Sequence, residues 1–150
     1  MENSKQSLPR ILIVDDEKAV RGLLTEVLAE KYECDAAESG EAALELIKAA
    51  GYSVVISDVE MSGLSGVEMV PLIHDLSPNT VILLITGSLS QEYAARSKSA
   101  GAFDLITKPF DLDFIERAVR LAHERHLALR DRSLPAAPRH LKFVRIAGRN

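Results

Sequence analysis

Five short apolar runs, each followed by a stretch of helical periodicity, constrain this chain more than any other feature. The first, Arg10-Ile11-Leu12-Ile13-Val14, is continuous, rich in β-branched residues and too short for a helix. It reads as a strand buried on both faces. Val20, Leu23, Leu24, Val27 and Leu28 then recur at i, i+3, i+4, i+7 and i+8, the stripe of an amphipathic helix. Glu33 to Ala37 is a weaker second strand. Ser39-Gly40 opens a helix carrying Ala43, Leu46, Ile47 and Ala50, and Gly51 ends it. Ser53 to Ser57 is a third strand, followed by a loop from Asp58 to Gly63. Ser65-Gly66-Val67-Glu68 has the form of a capping box, and predicts a third helix to about Leu76 in which Pro71 removes a backbone donor and introduces a kink. Thr80 to Ile85 is a fourth strand, Ser90 to Ala100 a fourth helix stopped by Gly101, and Phe103 to Ile106 a fifth strand. Asp111 caps a last helix whose apolar face includes Ile115, Ala118, Ala122 and Leu129.

Strict alternation of strand and helix specifies an α/β fold: a doubly wound, five-stranded parallel sheet with helices on both faces. Right-handed crossovers remove most other topologies. The composition agrees, with 47% of the 150 residues hydrophobic and 27% charged. No run approaches the length of apolar residues that spans a bilayer. Met1 to Pro9 is polar and lacks the apolar core of a secretory signal, and the lone Cys34 cannot form an internal disulfide, so a reducing cytoplasm is the expected compartment.

The net charge of −4 hides an asymmetry. Residues 1–129 hold 21 acids against 12 Lys and Arg, whereas residues 130–150 hold five Arg and one Lys against Asp131 alone. The reading is an N-terminal extension over 1–9, one domain over 10–130, and a basic, flexible tail over 131–150. An acidic body is a poor nucleic-acid binder, which leaves only the tail for RNA, DNA or an acidic protein face.

In an open α/β sheet, ligands bind beyond the carboxyl ends of the strands, where strand order reverses. The residues at those ends carry the chemistry: Asp15 and Asp16 after the first strand, Asp58 after the third, Thr86 after the fourth and Lys108 after the fifth. Three carboxylates brought together repel unless a cation joins them. A set of hard oxygens without His or Cys favours Mg²⁺ or Mn²⁺ over Zn²⁺. Lys108 adds a positive charge and Thr86 a donor, a combination suited to a phosphoryl group, and a carboxylate among them can act as nucleophile. No dinucleotide or P-loop glycine motif appears, which disfavours both standard kinds of nucleotide binding.

Four stretches together carry a family likeness: Ile13-Val14-Asp15-Asp16-Glu17; Ile56 to Gly66, with Ser57-Asp58-Val59-Glu60-Met61; Ile85-Thr86-Gly87; and Ala100 to Phe110, with Thr107-Lys108-Pro109. From about Arg10 to Leu129 the chain resembles the receiver domain of two-component response regulators. The resemblance implies a flavodoxin-like (βα)5 fold and a role for each residue. Asp58 is the expected phosphoacceptor, supplied by a phosphohistidine on a sensor histidine kinase or phosphotransfer protein. Asp16 and Asp58 are expected to hold Mg²⁺ directly, Asp15 largely through water, and the Glu60 backbone carbonyl to complete the set. Thr86 is expected to bond the phosphoryl oxygen and move, Lys108 to pair with the phosphate, and the Lys108–Pro109 peptide to be cis. Leu105 replaces the family's usual Tyr or Phe, and Ser62 and Pro71 also depart from the pattern.

Only 21 residues follow Leu129, too few for an output domain, so the expected function is a single-domain response regulator. Such a protein is not an enzyme in the ordinary sense, beyond autophosphorylation and aspartyl-phosphate hydrolysis. It would signal through the face made by the fourth helix, fifth strand and fifth helix, with Lys98, Asp104, Arg117 and Arg120 meeting a downstream protein or a weakly bound second copy. The alternatives are a receiver piece of a longer transcriptional regulator or hybrid kinase, an interaction module that makes no use of phosphate, and a nucleic-acid binder acting through the tail. Taken singly, Asp15 and Asp16 read as helix caps and Asp58 as a turn residue. His123 and His126 read as a solvated helical face, Cys34 as a small buried hydrophobe, and Phe103, Phe110 and Phe114 as packing around the fifth strand.

Overall fold

The computed structural model describes residues 7–88 and 90–131. The expected tail beyond Asp131 and the first six residues of the expected N-terminal extension lie outside the described residues. The elements alternate as β1 (Arg10–Val14), α1 (Lys18–Leu28), β2 (Glu33–Ala37), α2 (Gly40–Ala49), β3 (Val54–Asp58), α3 (Gly66–Leu76), β4 (Val81–Thr86), α4 (Gln91–Ala100), β5 (Asp104–Thr107) and α5 (Leu112–Arg130). All strands are parallel, in the order β2-β1-β3-β4-β5. The order reverses direction at β1, and the carboxyl ends of β1 and β3 flank the resulting crevice.

Strand side chains alternate between two cores, as a pleated sheet requires. Leu12, Val14, Val55, Ile82, Leu84 and Leu105 pack with Ala43 and Ile47 of α2 and Met69, Val70 and Ile73 of α3. Ile11, Ile13, Val54, Ile56, Leu83, Ile85 and Ile106 pack with Leu24 and Leu28 of α1 and Ile115, Val119 and Ala122 of α5. Every residue of β3 and β4 is buried, which explains their continuous apolar runs up to the polar residues at their carboxyl ends, Ser57 and Asp58 on β3 and Thr86 on β4. β2, at the sheet edge, is only partly buried, and its weak pattern follows from that. Cys34 on β2 is half-buried, and Phe103, Phe110 and Phe114 pack partly buried on the second core.

Local signals set most helix starts. The Ser39, Ser65 and Ser90 hydroxyls accept from the backbone N–H groups of Ala42, Glu68 and Tyr93, and Glu68 returns the bond to the Ser65 N–H. Asp111 caps α5 through the Asp113 N–H. Gly101 ends α4 at φ 109°, a left-handed conformation available to glycine at little cost. α3 continues through Pro71, which is solvent-exposed.

Several details differ from the pattern reading. Asp58 and Thr86 are the last residues of their strands rather than the first of a loop, because Asp58 still pairs with Ile85 and Thr86 with Thr107. Leu23 and Leu129, each 41% exposed, lie outside the core despite their helical spacing. Asp104 is buried, its carboxylate accepting the Leu105 N–H at 2.8 Å, so it offers no surface charge. Arg117 and Arg120 line a cleft between α1 and α5, with Val27, Lys31, Tyr32 and Glu116. Of the four charges assigned to the face of α4, β5 and α5, Asp104 is buried, Lys98 is exposed on α4, and Arg117 and Arg120 are exposed beside the α1–α5 cleft. His123 and His126 do not form a free solvated face. The two rings stack, His123 meets Tyr32 edge-on, and His126 Nδ1 lies 2.6 Å from the Asn79 carbonyl oxygen.

α3 is seated against the end of β3 at Gly66, whose N–H donates to the Val59 carbonyl at 3.0 Å. A Cβ at Gly66 would collide with the Asp58 carbonyl oxygen and sit 3.0 Å from Val59 Cα, both backbone atoms that cannot rotate away. Gly66→Ala should therefore destabilise the fold by about 1–3 kcal/mol, read as a lower denaturant midpoint. Ending the chain after Asp131 should leave a domain that still folds cooperatively with native circular dichroism, because the described strands and both cores lie upstream; a truncated chain that fails to fold would extend the domain boundary past residue 131.

Candidate functional site

The carboxyl ends of β1, β3, β4 and β5 bring the predicted residues to one pole. Carboxylate oxygens of Asp15, Asp16 and Asp58 lie within 4.8 Å of one another. Asp15 and Asp58 are buried, at 2% and 5% exposure, and Asp16 is open to solvent. Read singly, Asp15 and Asp16 could serve as caps of α1, but the N-cap residue is Glu17 and it makes no side-chain cap. Instead Asp15 Oδ1 accepts the Glu17 N–H at 2.8 Å and the Asp15 carbonyl accepts from the Arg21 guanidinium at 2.8 Å. These bonds fix the Asp15 backbone and leave Oδ2 facing the site.

Lys108 follows β5 and its N–H donates to the Thr86 carbonyl at 2.8 Å, continuing the ladder by one residue. The Lys108–Pro109 peptide is cis. The ammonium lies 3.5 Å from Asp58, 3.8 Å from Asp15 and 3.9 Å from Glu17. Glu17 is a member of this group that strand-end logic missed, being exposed and three residues past the strand. The contact of its carboxylate with Lys108 has no local sequence signal.

Thr86 is fully buried. Its hydroxyl accepts the Ser88 N–H at 3.0 Å and has two long acceptors in reach, the Ser88 carbonyl at 3.3 Å and Glu60 Oε1 at 3.4 Å. Glu60 was singled out for its backbone carbonyl. In the structure its N–H donates to Asp58 Oδ1 at 3.4 Å and its carboxylate reaches Thr86. Leu105 is buried in the core beneath α3 and α4, and the aromatic ring packed partly buried on that core from α4 is Tyr93.

Burial raises the Asp58 carboxyl from the ordinary 3.8 to about 6; Lys108 opposes that rise and Asp15 adds to it. Asp15 is also raised, by burial, against the pull of the Glu17 N–H and Lys108. For Lys108, burial acts downward, but Asp58, Asp15 and Glu17 outweigh it and hold the ammonium above its ordinary value. The pole thus has more negative charge than one lysine compensates. A small hard cation fits this donor set of carboxylate oxygens.

The chain matches the family model of the response regulator receiver domain over residues 11–120, and it belongs to that family. It is 34% identical over 120 residues to regulatory protein AtoC of Escherichia coli (strain K12), covering 77% of this chain but 26% of that protein. It is 32% identical over 112 residues to sporulation initiation phosphotransferase F of Bacillus subtilis (strain 168), covering 74% of this chain and 90% of that one. Its fold matches chemotaxis protein CheY4 of Vibrio cholerae with a TM-score of 0.73 at 28% identity, covering 77% of this chain and 99% of that one. The chain thus contains the receiver domain of a response regulator, a signalling domain of the flavodoxin-like class. Receiver domains of this family interact with histidine kinases or phosphotransfer proteins and generally bind Mg²⁺ in an acidic pocket, where this chain has its aspartate cluster. Among the described residues, no helix is long and apolar enough to cross a membrane.

The raised Asp58 carboxyl sets a pH dependence. Between about 4 and about 6 the unfolded carboxyl is ionised while the folded one still holds its proton, so the folded state binds more protons. Stability without divalent cation should therefore fall as the pH rises through that window. Millimolar Mg²⁺ should restore stability above pH 6, and thermal melts at several pH values with and without Mg²⁺ measure both effects.

Proposed function

We propose that this chain is a phosphorylatable response regulator in which Asp58 accepts a phosphoryl group from a phosphohistidine on a sensor histidine kinase or phosphotransfer protein. The observation that carries this reading is the Lys108 ammonium set 3.5 Å from a buried Asp58 at the switch point of the sheet. In the step itself an Asp58 carboxylate oxygen attacks phosphorus. The P–N bond breaks, its electron pair returns to the imidazole, and the product is an acyl phosphate. Mg²⁺ or Mn²⁺, held by Asp15, Asp16, Asp58 and the Glu60 backbone carbonyl, would neutralise the acidic pole and stabilise the charge on the transferring group. Lys108 orients and pairs with the phosphoryl oxygens. Thr86, whose present acceptors are long, donates to a phosphoryl oxygen instead. Its displacement reaches Ser88 and the loop into α4, which supports a readout at the face of α4, β5 and α5. Intrinsic autophosphorylation and aspartyl-phosphate hydrolysis fit the same geometry.

The domain boundaries we propose are 10–130 for the receiver, with 1–9 and 131–150 as extensions, and the cytoplasm is the compartment. Coverage of 90% of phosphotransferase F supports a single-domain regulator in a phosphorelay. The 26% coverage of AtoC favours the second reading, a receiver belonging to a longer transcriptional regulator. Phosphotransfer profiling against the organism's kinases identifies the donor and is the main test.

With acetyl phosphate and Mg²⁺, the wild type should gain one phosphoryl group by intact mass and Asp58→Asn none; a phosphate retained on Asp58→Asn would place the acceptor elsewhere. Lys108→Ala should slow phosphorylation by about a hundredfold or more while circular dichroism stays native, since the ammonium serves charge stabilisation rather than packing. A globally unfolded Lys108→Ala variant would contradict that assignment.

A further inference from the structure

The outer surface of α2 and α3 differs from the rest of the helical shell in charge. These two helices carry Glu41, Glu45, Glu68 and Asp75 against one base, Lys48, whereas α1, α4 and α5 each hold one more Lys or Arg than acid. His74 adds no charge at neutral pH, because burial lowers its pKa below the ordinary value. The same surface exposes apolar area. Leu72 and Leu76 of α3 are 40% and 43% exposed, and among the described residues they are the one pair of exposed leucines at i, i+4 spacing. They lie along one helix face with Glu68 and Asp75.

The chain beyond Asp131 has the complementary composition. Residues 132–150 contain four Arg and one Lys and no acid. Within them Arg139, Lys142 and Arg145 are interleaved with Leu141, Phe143, Val144 and Ile146. The described chain also ends near the right place. His126 on α5 lies 2.6 Å from the carbonyl of Asn79, which is three residues past Leu76. From His126 the helix runs only to Arg130, about 6 Å further. The eight residues 131–138, fully extended, then reach up to about 26 Å, longer than the roughly 16 Å length of α3.

We propose that residues 139–146 dock in cis on the acidic face of α3 and α2, covering Leu72 and Leu76 and setting Arg139, Lys142 and Arg145 against Glu45, Glu68 and Asp75. Apolar contact supplies the attraction at short range, and charge selects this face over the basic surfaces of α1, α4 and α5. The inference stands independently of the phosphoryl chemistry.

Hydrogen exchange on the full chain tests it. At low salt, amides of residues 139–146 should exchange about tenfold or more slowly than in a free peptide of that sequence. In 1 M salt, where the screening length falls from about 10 Å at 0.1 M to about 3 Å, the protection should weaken. The double variants Leu72→Gln/Leu76→Gln and Glu45→Lys/Asp75→Lys should each remove it with native circular dichroism, because all four side chains are exposed. Free-peptide exchange at low salt, or protection that survives both double variants, would overturn the proposal. Protection that rises with concentration alongside a dimer in sedimentation would overturn it as well, and would assign the face to the tail of a second copy.

Discussion

Buried like charge at the carboxyl end of the sheet is the constraint on which the rest of this structure depends. Asp15 and Asp58 are nearly inaccessible to water, Asp16 lies within reach of both, and Lys108 touches the two buried acids and Glu17 at 3.5–3.9 Å. At an effective dielectric of about 20, two unit charges about 4 Å apart interact by about 4 kcal/mol. The repulsion among the carboxylates is therefore comparable to the attraction of each to the lysine. No single flexible loop could hold such a group together. Here each member is anchored at or just beyond the end of a strand whose backbone is fixed by the parallel ladder.

That anchoring explains the division of the core. Two apolar layers clamp the sheet from opposite faces, and the alternation of side chains along β1 and β3 assigns successive residues to one layer or the other. At the carboxyl ends the apolar alternation stops and acids take over. The same backbone that places Ile13 and Val14 in opposite layers places Asp15 at the rim. Disrupting either layer would displace site residues only through the strand ends. The geometry is consequently set by sheet register rather than by contacts among the charged groups, which on their own would drive them apart.

Much of this was legible in the sequence because periodicity and capping are local. The five strands and five helices follow from run length and spacing, and Ser39, Ser65, Ser90, Gly101 and Asp111 act where their chemistry predicts. Aspartates and a lysine immediately after buried strands were enough to find the acidic pole. What was not legible depends on contacts between distant segments. The reach of Glu17 to Lys108 and of the Glu60 carboxylate to Thr86 requires knowing how loops fold over the sheet. Leu23 and Leu129 have helical spacing but face water, since helical period alone does not say where a stripe ends. Asp104 reads as an exposed charge until its strand is placed against β4, where it becomes one of the most buried polar residues. His126 reads as solvated until the loop after α3 is brought beside it.

The Thr86 hydroxyl shows how such a pole can transmit a change. It is wholly buried, yet both acceptors in its reach are at 3.3–3.4 Å, longer than the 2.5–3.0 Å usual for O–H···O bonds. A buried donor held this loosely is available to a better acceptor. A charged oxygen on Asp58 would draw a bond of about 2.5–2.7 Å, roughly twice as strong as a neutral one. On the proposed phosphorylation, taking the hydroxyl from Glu60 and Ser88 would free contacts in two segments at once, the β3–α3 loop and the start of the loop into α4. Leu105, filled into the core, leaves no aromatic on β5 to follow the movement. Tyr93, packed partly buried on the same core, lies on α4 beneath the Arg96 guanidinium and lines a groove with Glu60, Met61 and Glu68. On the proposed phosphorylation, release of Glu60 would therefore act on the groove that its side chain lines with Tyr93 of α4 rather than on β5.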